Sequence, residues 1–421
     1  MKEEKKEKVF LVGFVHPGEF IEDTQDHLDE LGLLAQTAGG TVKNSLIQER
    51  RRPDAAYFIS KGNAGKIALE VAGQGIETVI FDDDLSPAQI RNLEKILSSK
   101  VLDRSTLILD IFARRAKTRE AMTQVELAQL KHLLPRLTRR WTHLSRQVGG
   151  IGTRGVGETQ LEIDRRIIKR RIARLSKDLD RIERGRQERR KSRDASFKVA
   201  IIGYTNAGKT SIFNAFTEAR AFVQDRLFAT LDSVVRRCIL SGENEILLID
   251  TVGFIRKLPV HLVASFRSTL EETVVSDLLI NAVDLSNPRY EEHIAVTDTV
   301  RMDLGILNKP CITVFNKIDL VDRSVIERAR KFRPRSLFVS ALKSRNLDEI
   351  EKEIVHFMNL DKEEIDLRVK PGREDFIAFM YRSGDVLRKE YVDCYISVRF
   401  RGTREKIKQV YRTAETEEAL V

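Results

Sequence analysis

Residues 197–216 read FKVAIIGYTNAGKTSIFNAF, and this stretch decides the class of fold. An apolar run of strand length leads into a turn bounded by Gly203 and Gly208, and a helix-like segment follows. The spacing G-x-x-x-x-G-K-T is the phosphate-binding P-loop pattern in the strand and helix setting that it requires. Backbone N–H groups of such a loop face phosphates at the positive end of the helix, where Lys209 adds its charge. We therefore predict a parallel α/β domain with a phosphate site at this turn.

Two further motifs follow in order, each after an apolar run. The run EILLID ends in Asp250-Thr251-Val252-Gly253, a DxxG motif whose carboxylate can hold the water shell of Mg²⁺ and whose Gly253 N–H can sense a γ-phosphate. The run CITVF precedes Asn316-Lys317-Ile318-Asp319. The Asp319 carboxylate can accept hydrogen bonds from N1–H and the 2-amino group of guanine, which adenine does not offer. The motifs therefore predict a site for GTP and GDP, with Mg²⁺ on the Thr210 hydroxyl.

The segments around the DxxG motif are the expected switches. Leu227-Phe-Ala-Thr230-Leu-Asp232 lies between the P-loop and this motif, and Thr230 would bind Mg²⁺ and the γ-phosphate only while GTP is present. A plain strand residue is the alternative for Thr230. The second switch is expected from Phe254 to Leu270. Phe254 stands where many GTPases carry a glutamine that orients water, so we expect slow intrinsic hydrolysis that depends on another residue or on a partner that rearranges the switches.

The order of these motifs predicts a GTPase domain of the TRAFAC class at residues 198–360. Lys209, Thr230 and Gly253 are the predicted catalytic residues, and Thr210 and Thr230 are the predicted Mg²⁺ ligands. The predicted nucleotide-binding residues are Gly203, Tyr204, Thr205, Asn206, Ala207, Gly208, Lys209, Thr210, Ser211, Phe228, Ala229, Thr230, Asp250, Thr251, Val252, Gly253, Asn316, Lys317, Asp319, Ser340, Ala341 and Leu342.

Positive charge is concentrated in one segment of the chain. Residues 111–197 carry 24 lysines and arginines against 10 aspartates and glutamates, whereas the remainder carries 49 against 53. Leucine and isoleucine recur there at steps of three and four on both sides of a glycine-rich loop, which predicts an antiparallel helical hairpin at 111–197. The excess of cations and the scarcity of aromatic residues favour phosphate and shape recognition of folded RNA over base stacking.

The loop of the hairpin reads VGGIGTRGVGE, with five glycines around Arg154. So much glycine costs backbone entropy, and it favours close contact of the backbone with another molecule over a passive linker. The candidate RNA-binding residues are Gly149, Gly150, Gly152, Arg154, Gly155 and Gly157.

The ends of the chain predict two smaller α/β parts. Residues 1–110 alternate short apolar runs with helix-like stretches, as expected for a parallel sheet, and 361–421 indicate a C-terminal extension. The segment 61–66, KGNAGK, could contact phosphate, although an ordinary loop is the stronger interpretation. Three distant cysteines without a CxxC pair argue against a zinc cluster or a disulfide framework. Because no apolar run approaches about 18 residues, we expect a cytoplasmic protein without stable membrane association. We also expect a monomer.

Two longer stretches carry a family resemblance. GGIGTRGVGETQLEIDRR and DTVGFIRKLPVHLVASFRSTLEE, read with the nucleotide motifs, closely resemble the HflX family of ribosome-associated GTPases. The resemblance implies binding to 50S subunits and 70S ribosomes, with the tip at 149–157 directed to the peptidyl-transferase centre, and splitting or recycling of stalled ribosomes under stress. The chain departs from the family pattern at Ser233-Val234-Val235 and in FISKGNAGK, which lacks the usual GxGK form. A hydrophobic residue at Phe254 is shared with the family.

Three hypotheses about function remain open from the sequence. The leading one is a ribosome-binding factor that hydrolyses GTP to GDP and phosphate and contacts ribosomal RNA through the hairpin. The second is a GTP-binding scaffold whose hairpin binds a protein or a membrane. The third is ATP-driven RNA remodelling, which Asp319 opposes because its carboxylate confers no advantage with adenine.

Overall fold

The computed structural model describes residues 6–137, 156–191, 196–217, 227–228, 233–241, 244–257, 267–360, 362–392, 394–416 and 418–421. The chain forms two compact units, Met1–Cys238 with Ile246–Arg345, and Ile239–Glu245 with Asn346–Val421. In the ranges described, no helix combines the length and the apolar character needed to cross a membrane.

Strands and helices alternate through most of the chain, as predicted for an α/β protein. In chain order the elements are β1 (Lys8–Val15), α1 (Ile21–Thr37), β2 (Thr41–Glu49), α2 (Lys61–Gln74), β3 (Thr78–Phe81), α3 (Pro87–Leu97), β4 (Lys100–Asp103), α4 (Arg104–Arg115), α5 (Arg119–Leu133), α6 (Val156–Lys191), β5 (Phe197–Gly203), α7 (Lys209–Phe216), β6 (Val234–Ile239), β7 (Glu245–Asp250), α8 (Arg267–Val275), β8 (Leu278–Asp284), α9 (Tyr290–Asp303), β9 (Cys311–Asn316), α10 (Arg323–Phe332), β10 (Leu337–Phe338), α11 (Leu347–Asn359), β11 (Lys362–Val369), α12 (Glu374–Ser383), β12 (Asp385–Val392), β13 (Tyr395–Thr403) and α13 (Arg404–Thr416).

The first sheet has the order β2-β1-β3-β4 and is parallel throughout. Its two central strands are apolar and buried, as expected for a parallel sheet that is covered on both faces. The segment KGNAGK does not form the expected loop, because it begins helix α2. The Ser60 side chain accepts a hydrogen bond from Asn63 N at 3.2 Å, and Ile67 and Val71 are buried against the sheet.

Helices α5 and α6 pack on each other in the basic segment. Along the predicted apolar stripe of α6, Leu175 is buried, and the other members from Ile168 to Ile182 are partly buried. Arg171 of α6 makes two hydrogen bonds to the Glu126 carboxylate, at 2.7 and 2.9 Å. The predicted tip residues Gly149, Gly150, Gly152, Arg154 and Gly155 lie outside the described residues, and Gly157 lies in the first turn of α6.

The second sheet has the order β10-β9-β8-β5-β7-β6. The pairs β10–β9, β9–β8, β8–β5 and β5–β7 are all parallel. The carboxyl ends of these strands therefore meet at one edge, which is where ligands bind in such sheets. This arrangement brings the P-loop after β5, the DxxG motif after β7 and the NKxD motif after β9 to the same edge.

The second unit contains a three-stranded antiparallel sheet in the order β11-β13-β12. Alternate residues of its central strand, Val398 and Phe400 among them, pack against Phe376 and Met380 of α12 and Val410 of α13. This period of two is the pattern of a sheet with one covered face.

A buried ion-pair cluster lies between α1, the end of β3 and α4. The side chain of Arg104 is 2% exposed, donates to Asp82 Oδ1 at 2.7 Å and also pairs with Glu30. Burial by itself raises the pKa of Asp82, but the positive charges of Arg104 and Lys257 outweigh burial and hold that pKa below its ordinary value. The Asp82 carboxylate therefore remains charged, and it tolerates burial because the guanidinium of Arg104 lies beside it.

We expect Arg104→Ala to lower the free energy of unfolding by about 3–5 kcal/mol, because it leaves buried carboxylates without their cation. Urea unfolding of the full chain measures the change. Arg171→Ala is the matched control, since it also removes an arginine from an ion pair but in an exposed position. A midpoint for Arg104→Ala that equals the control would contradict the assigned role of the cluster.

Candidate nucleotide-binding site

The P-loop needs glycine at both ends because other strands approach its backbone closely. Gly203 has a φ of +137°, and a Cβ there would lie 2.2 Å from the carbonyl oxygen of Ala282 on β8. Gly208 has a φ of +86°, and a Cβ there would lie 2.2 Å from the side-chain nitrogen of Asn316. The two glycines therefore let the loop close against β8 and against the NKxD motif.

Lys209 begins helix α7, and its ammonium lies under the loop. It donates hydrogen bonds to the carbonyl oxygens of Gly203 at 3.2 Å and Tyr204 at 2.8 Å. Burial lowers the pKa of Lys209 to about 8, against the opposing charge of Asp250. A phosphate at the loop would favour the charged form, so the ammonium is placed to bind anionic ligands.

Thr210 and Asp250 meet as the sequence predicted. Residue Asp250 ends β7 opposite Ile201 of β5, and its Oδ2 accepts a hydrogen bond from the Thr210 hydroxyl at 2.8 Å. Neighbouring Thr251 is fixed by a hydrogen bond from its hydroxyl to the Ile201 carbonyl at 2.6 Å. A hydroxyl and a carboxylate oxygen are donors that suit Mg²⁺.

Phe254, the residue after the DxxG motif, is hydrogen-bonded to the P-loop. Phe254 N donates to Gly203 O at 3.0 Å, and Thr205 N donates to Phe254 O at 2.7 Å. A Cβ on Gly253 would lie 2.8 Å from Thr205 Cα and 2.9 Å from Lys209 Nζ, so only glycine fits here without displacement. The Phe254 side chain is 2% exposed and packs in an apolar cluster. The ring is therefore part of the hydrophobic core. It carries no polar group that could orient a water molecule.

Three loops converge on Asn316, at the part of the edge where the NKxD motif predicts the base. Its Nδ2 donates to the carbonyl of Ala207 in the P-loop, and its Oδ1 accepts from Ala341 N, both at 3.0 Å. Asp319 follows in a short 3₁₀ helix, Ile318–Leu320, and is partly exposed. The Leu342 side chain is 81% exposed, so of the predicted SAL loop it is Ser340 and Ala341 that are held against the site.

Part of the predicted first switch lies outside the described residues, including Ala229 and Thr230. Phe228 is described, and its side chain is buried. Its ring packs edge-on against Phe112 of α4, with centroids 4.6 Å apart. The start of this segment is therefore anchored on the N-terminal part of the chain.

Other contacts between the N-terminal part and the site were not predicted from the sequence. The Tyr204 hydroxyl of the P-loop hydrogen-bonds to Glu30 of α1, and its ring stacks on His293 of α9 at 3.8 Å. Lys257, three residues after Phe254, donates to Asp82 at 2.8 Å and to Asp83 at 2.7 Å. These partners are far apart along the chain and carry no motif, so no sequence signal indicated them.

Three family models match successive parts of the chain. The GTP-binding GTPase N-terminal model matches residues 25–113, the GTP-binding GTPase Middle Region model 115–193, and the 50S ribosome-binding GTPase model 198–317. The GTPase HflX of Caldanaerobacter subterraneus subsp. tengcongensis is 41% identical over 402 residues, which cover 95% of this chain and 92% of that protein. This chain belongs to the HflX family of GTPases.

Other HflX relatives are similar over most of their length. The GTPase HflX of Escherichia coli K12 is 40% identical and that of Flavobacterium psychrophilum 44% identical, with 88% and 83% of this chain covered and 88% and 89% of the relatives. Solved structures of SsGBP with GDP and of a Sulfolobus solfataricus GTP-binding protein with GDP are each 26% identical, cover 83% of this chain and 98% of theirs, and have TM-scores of 0.48 and 0.43. As a member of the HflX family, the protein binds guanine nucleotide and hydrolyses GTP.

The buried ammonium makes nucleotide affinity depend on pH. Lys209 has a pKa of about 8 in the free protein, and bound phosphates hold it protonated, so binding takes up a proton above that pH. We expect the dissociation constant of GDP to rise about four-fold between pH 7 and 8.5, measured by isothermal titration calorimetry. Lys209→Arg should bind with a flat profile over this range, because guanidinium stays protonated. Parallel profiles for the two proteins would contradict this assignment.

Gly208→Ala should reduce GDP affinity in addition to destabilising the fold through backbone strain. The added methyl group meets Asn316, whereas at Gly305, with a φ of +70°, it meets nothing within 4 Å. We expect both variants to lose about 1 kcal/mol of stability from the left-handed backbone, while only Gly208→Ala loses GDP affinity, by about a hundred-fold. Thermal unfolding measures the loss of stability, and GDP titration measures the loss of affinity. Equal losses of affinity in the Gly208→Ala and Gly305→Ala variants would contradict the explanation.

Proposed function

We propose that this GTPase binds the large ribosomal subunit and stalled 70S ribosomes, and that it splits or recycles ribosomes under stress. The observation that carries the proposal is the cationic face of α6. Arg166, Lys169 and Arg170 are exposed there, and Arg165 lies beside them at partial exposure. The match of its GTPase domain to a 50S ribosome-binding family model supports the same partner.

The position of these cations suits a polyanion. Lys169 and Arg170 follow Arg166 by three and four residues in the helix, so the three side chains lie on one face of α6. The buried stripe around Leu175 holds the opposite face against α5. The exposed charges are therefore presented on a helix whose orientation is already fixed, as phosphate recognition requires.

The nucleotide site would control this binding. Lys209 would hold the β- and γ-phosphates, and the Gly253 N–H would respond to the γ-phosphate. Thr210 and Thr230 would ligate Mg²⁺, which supplies neutralisation of phosphate charge, and Asp250 would order the surrounding water. We propose that the glycines of the tip, Gly149 to Gly157, and Arg154 contact ribosomal RNA, and that the protein acts as a cytoplasmic monomer.

The decisive experiment measures GTP hydrolysis with and without 50S subunits. We expect 50S subunits to raise the rate many-fold, and the triple charge reversal Arg166→Glu, Lys169→Glu, Arg170→Glu to abolish the increase while the basal rate stays. The matched control reverses three exposed cations of α13, Lys406→Glu, Lys408→Glu and Arg412→Glu. The proposal fails if 50S subunits leave the rate unchanged, or if both triple variants respond alike.

Sucrose gradients of 70S ribosomes distinguish splitting from binding. With GTP, or with a non-hydrolysable analogue, we expect 70S ribosomes to separate into subunits and the protein to migrate with 50S. Migration with 70S ribosomes without separation would leave binding and remove splitting. Sedimentation with anionic vesicles in preference to subunits would support the scaffold hypothesis.

A further inference from the structure

Lys317, the second residue of the NKxD motif, makes an ion pair within the site. Its ammonium donates to Asp284 Oδ2 at 2.6 Å, and the two side chains are 24% and 16% exposed. The backbone of Lys317 has a φ of +63°. A non-glycine residue keeps such a conformation only where its surroundings fix it, and the ion pair is one of the restraints.

The order of the strands shows on which side of β9 the Lys317 ammonium lies. Asp284 ends β8 opposite Asn316 of β9, and β8 lies between β9 and the P-loop strand β5. An ammonium on Asp284 therefore lies on the P-loop side of β9. The ion pair thus holds the Lys317 ammonium between the loop of Asp319 and the strand that leads into the P-loop. A nucleotide whose base contacts Asp319 and whose phosphates contact Lys209 must extend between these same two loops.

The carboxylate of Asp284 is itself oriented before any ligand arrives. Its Oδ1 accepts hydrogen bonds from Ser286 N at 2.9 Å and from the Ser286 hydroxyl at 2.5 Å. The other oxygen, Oδ2, is directed to Lys317. The turn at Ser286 therefore fixes the Asp284 carboxylate with Oδ2 free to accept from Lys317. Because the carboxylate is already ordered, pairing with it orients the lysine at little additional cost in side-chain entropy.

We propose that Asp284 is a positioning residue for guanine-nucleotide binding. It fixes the Lys317 side chain so that the methylene stem covers one face of the purine, while Asp319 reads the edge of the base. Long cationic side chains commonly use their stems in this way and keep the charged end in a polar setting. The contact does not depend on the γ-phosphate, so it serves GDP and GTP equally.

The test is Asp284→Asn in the full-length protein, which keeps the shape of the side chain and an oxygen for Ser286. We expect the dissociation constants of GDP and GTP to rise by the same factor, about ten-fold, in titrations with a fluorescent guanine nucleotide. The rate at saturating GTP should not change, because the lost interaction is made equally in the ground state and the transition state. Ser286→Ala is the control and should weaken binding less than three-fold.

A double-mutant cycle with Lys317→Ala separates positioning from a structural role. If Asp284 acts through the lysine, Asp284→Asn has no further effect on affinity once Lys317→Ala is present. The melting temperature of the nucleotide-free protein should be the same for Asp284→Asn and Ser286→Ala. Unchanged affinity in Asp284→Asn, or an equal loss with and without Lys317, would overturn the proposal. Either result leaves the GTPase assignment intact, because that rests on other residues.

Discussion

The geometry of the site depends on the burial of one ammonium group, that of Lys209. An ammonium that is 6% exposed must be surrounded by acceptors, and the carbonyl oxygens of Gly203 and Tyr204 provide them. The loop can fold over the ammonium only because Gly203 lets it pass against the backbone of Ala282. Strand β5, the P-loop and helix α7 are therefore arranged around the positive charge of Lys209, which suits a phosphate ligand.

The N-terminal part of the chain is linked to the P-loop and to the segment after the DxxG motif by buried polar contacts. Glu30 joins the guanidinium of Arg104 to the Tyr204 hydroxyl of the P-loop. Asp82 joins the same guanidinium to Lys257, just after the DxxG motif. Because these groups are largely buried, their pairing is expensive to break. A movement of the segment after the DxxG motif would therefore break contacts with residues of the N-terminal part, Asp82 among them.

The side chains that the NKxD motif predicts for base recognition lie at the same edge of the sheet. Asn316 ties the NKxD loop to Ala207 and Ala341, which fixes the distance between base and phosphate loops. Asp284 adds a second tie by holding Lys317. Motif spacing predicted Asn316, Lys317 and Asp319, but it did not indicate Asp284, because a single aspartate at the end of a strand has no pattern of its own.

Glycine spacing and hydrophobic period predicted the P-loop, the DxxG and NKxD motifs and the apolar stripe of α6, because both patterns depend on neighbours along the chain. The sequence also indicated that Phe254 cannot orient water. The helical conformation of KGNAGK and the contact of Glu30 with the P-loop became visible only in the folded chain. Those outcomes depend on packing between segments far apart in sequence, where burial and charge pairing, rather than local pattern, set the free energy.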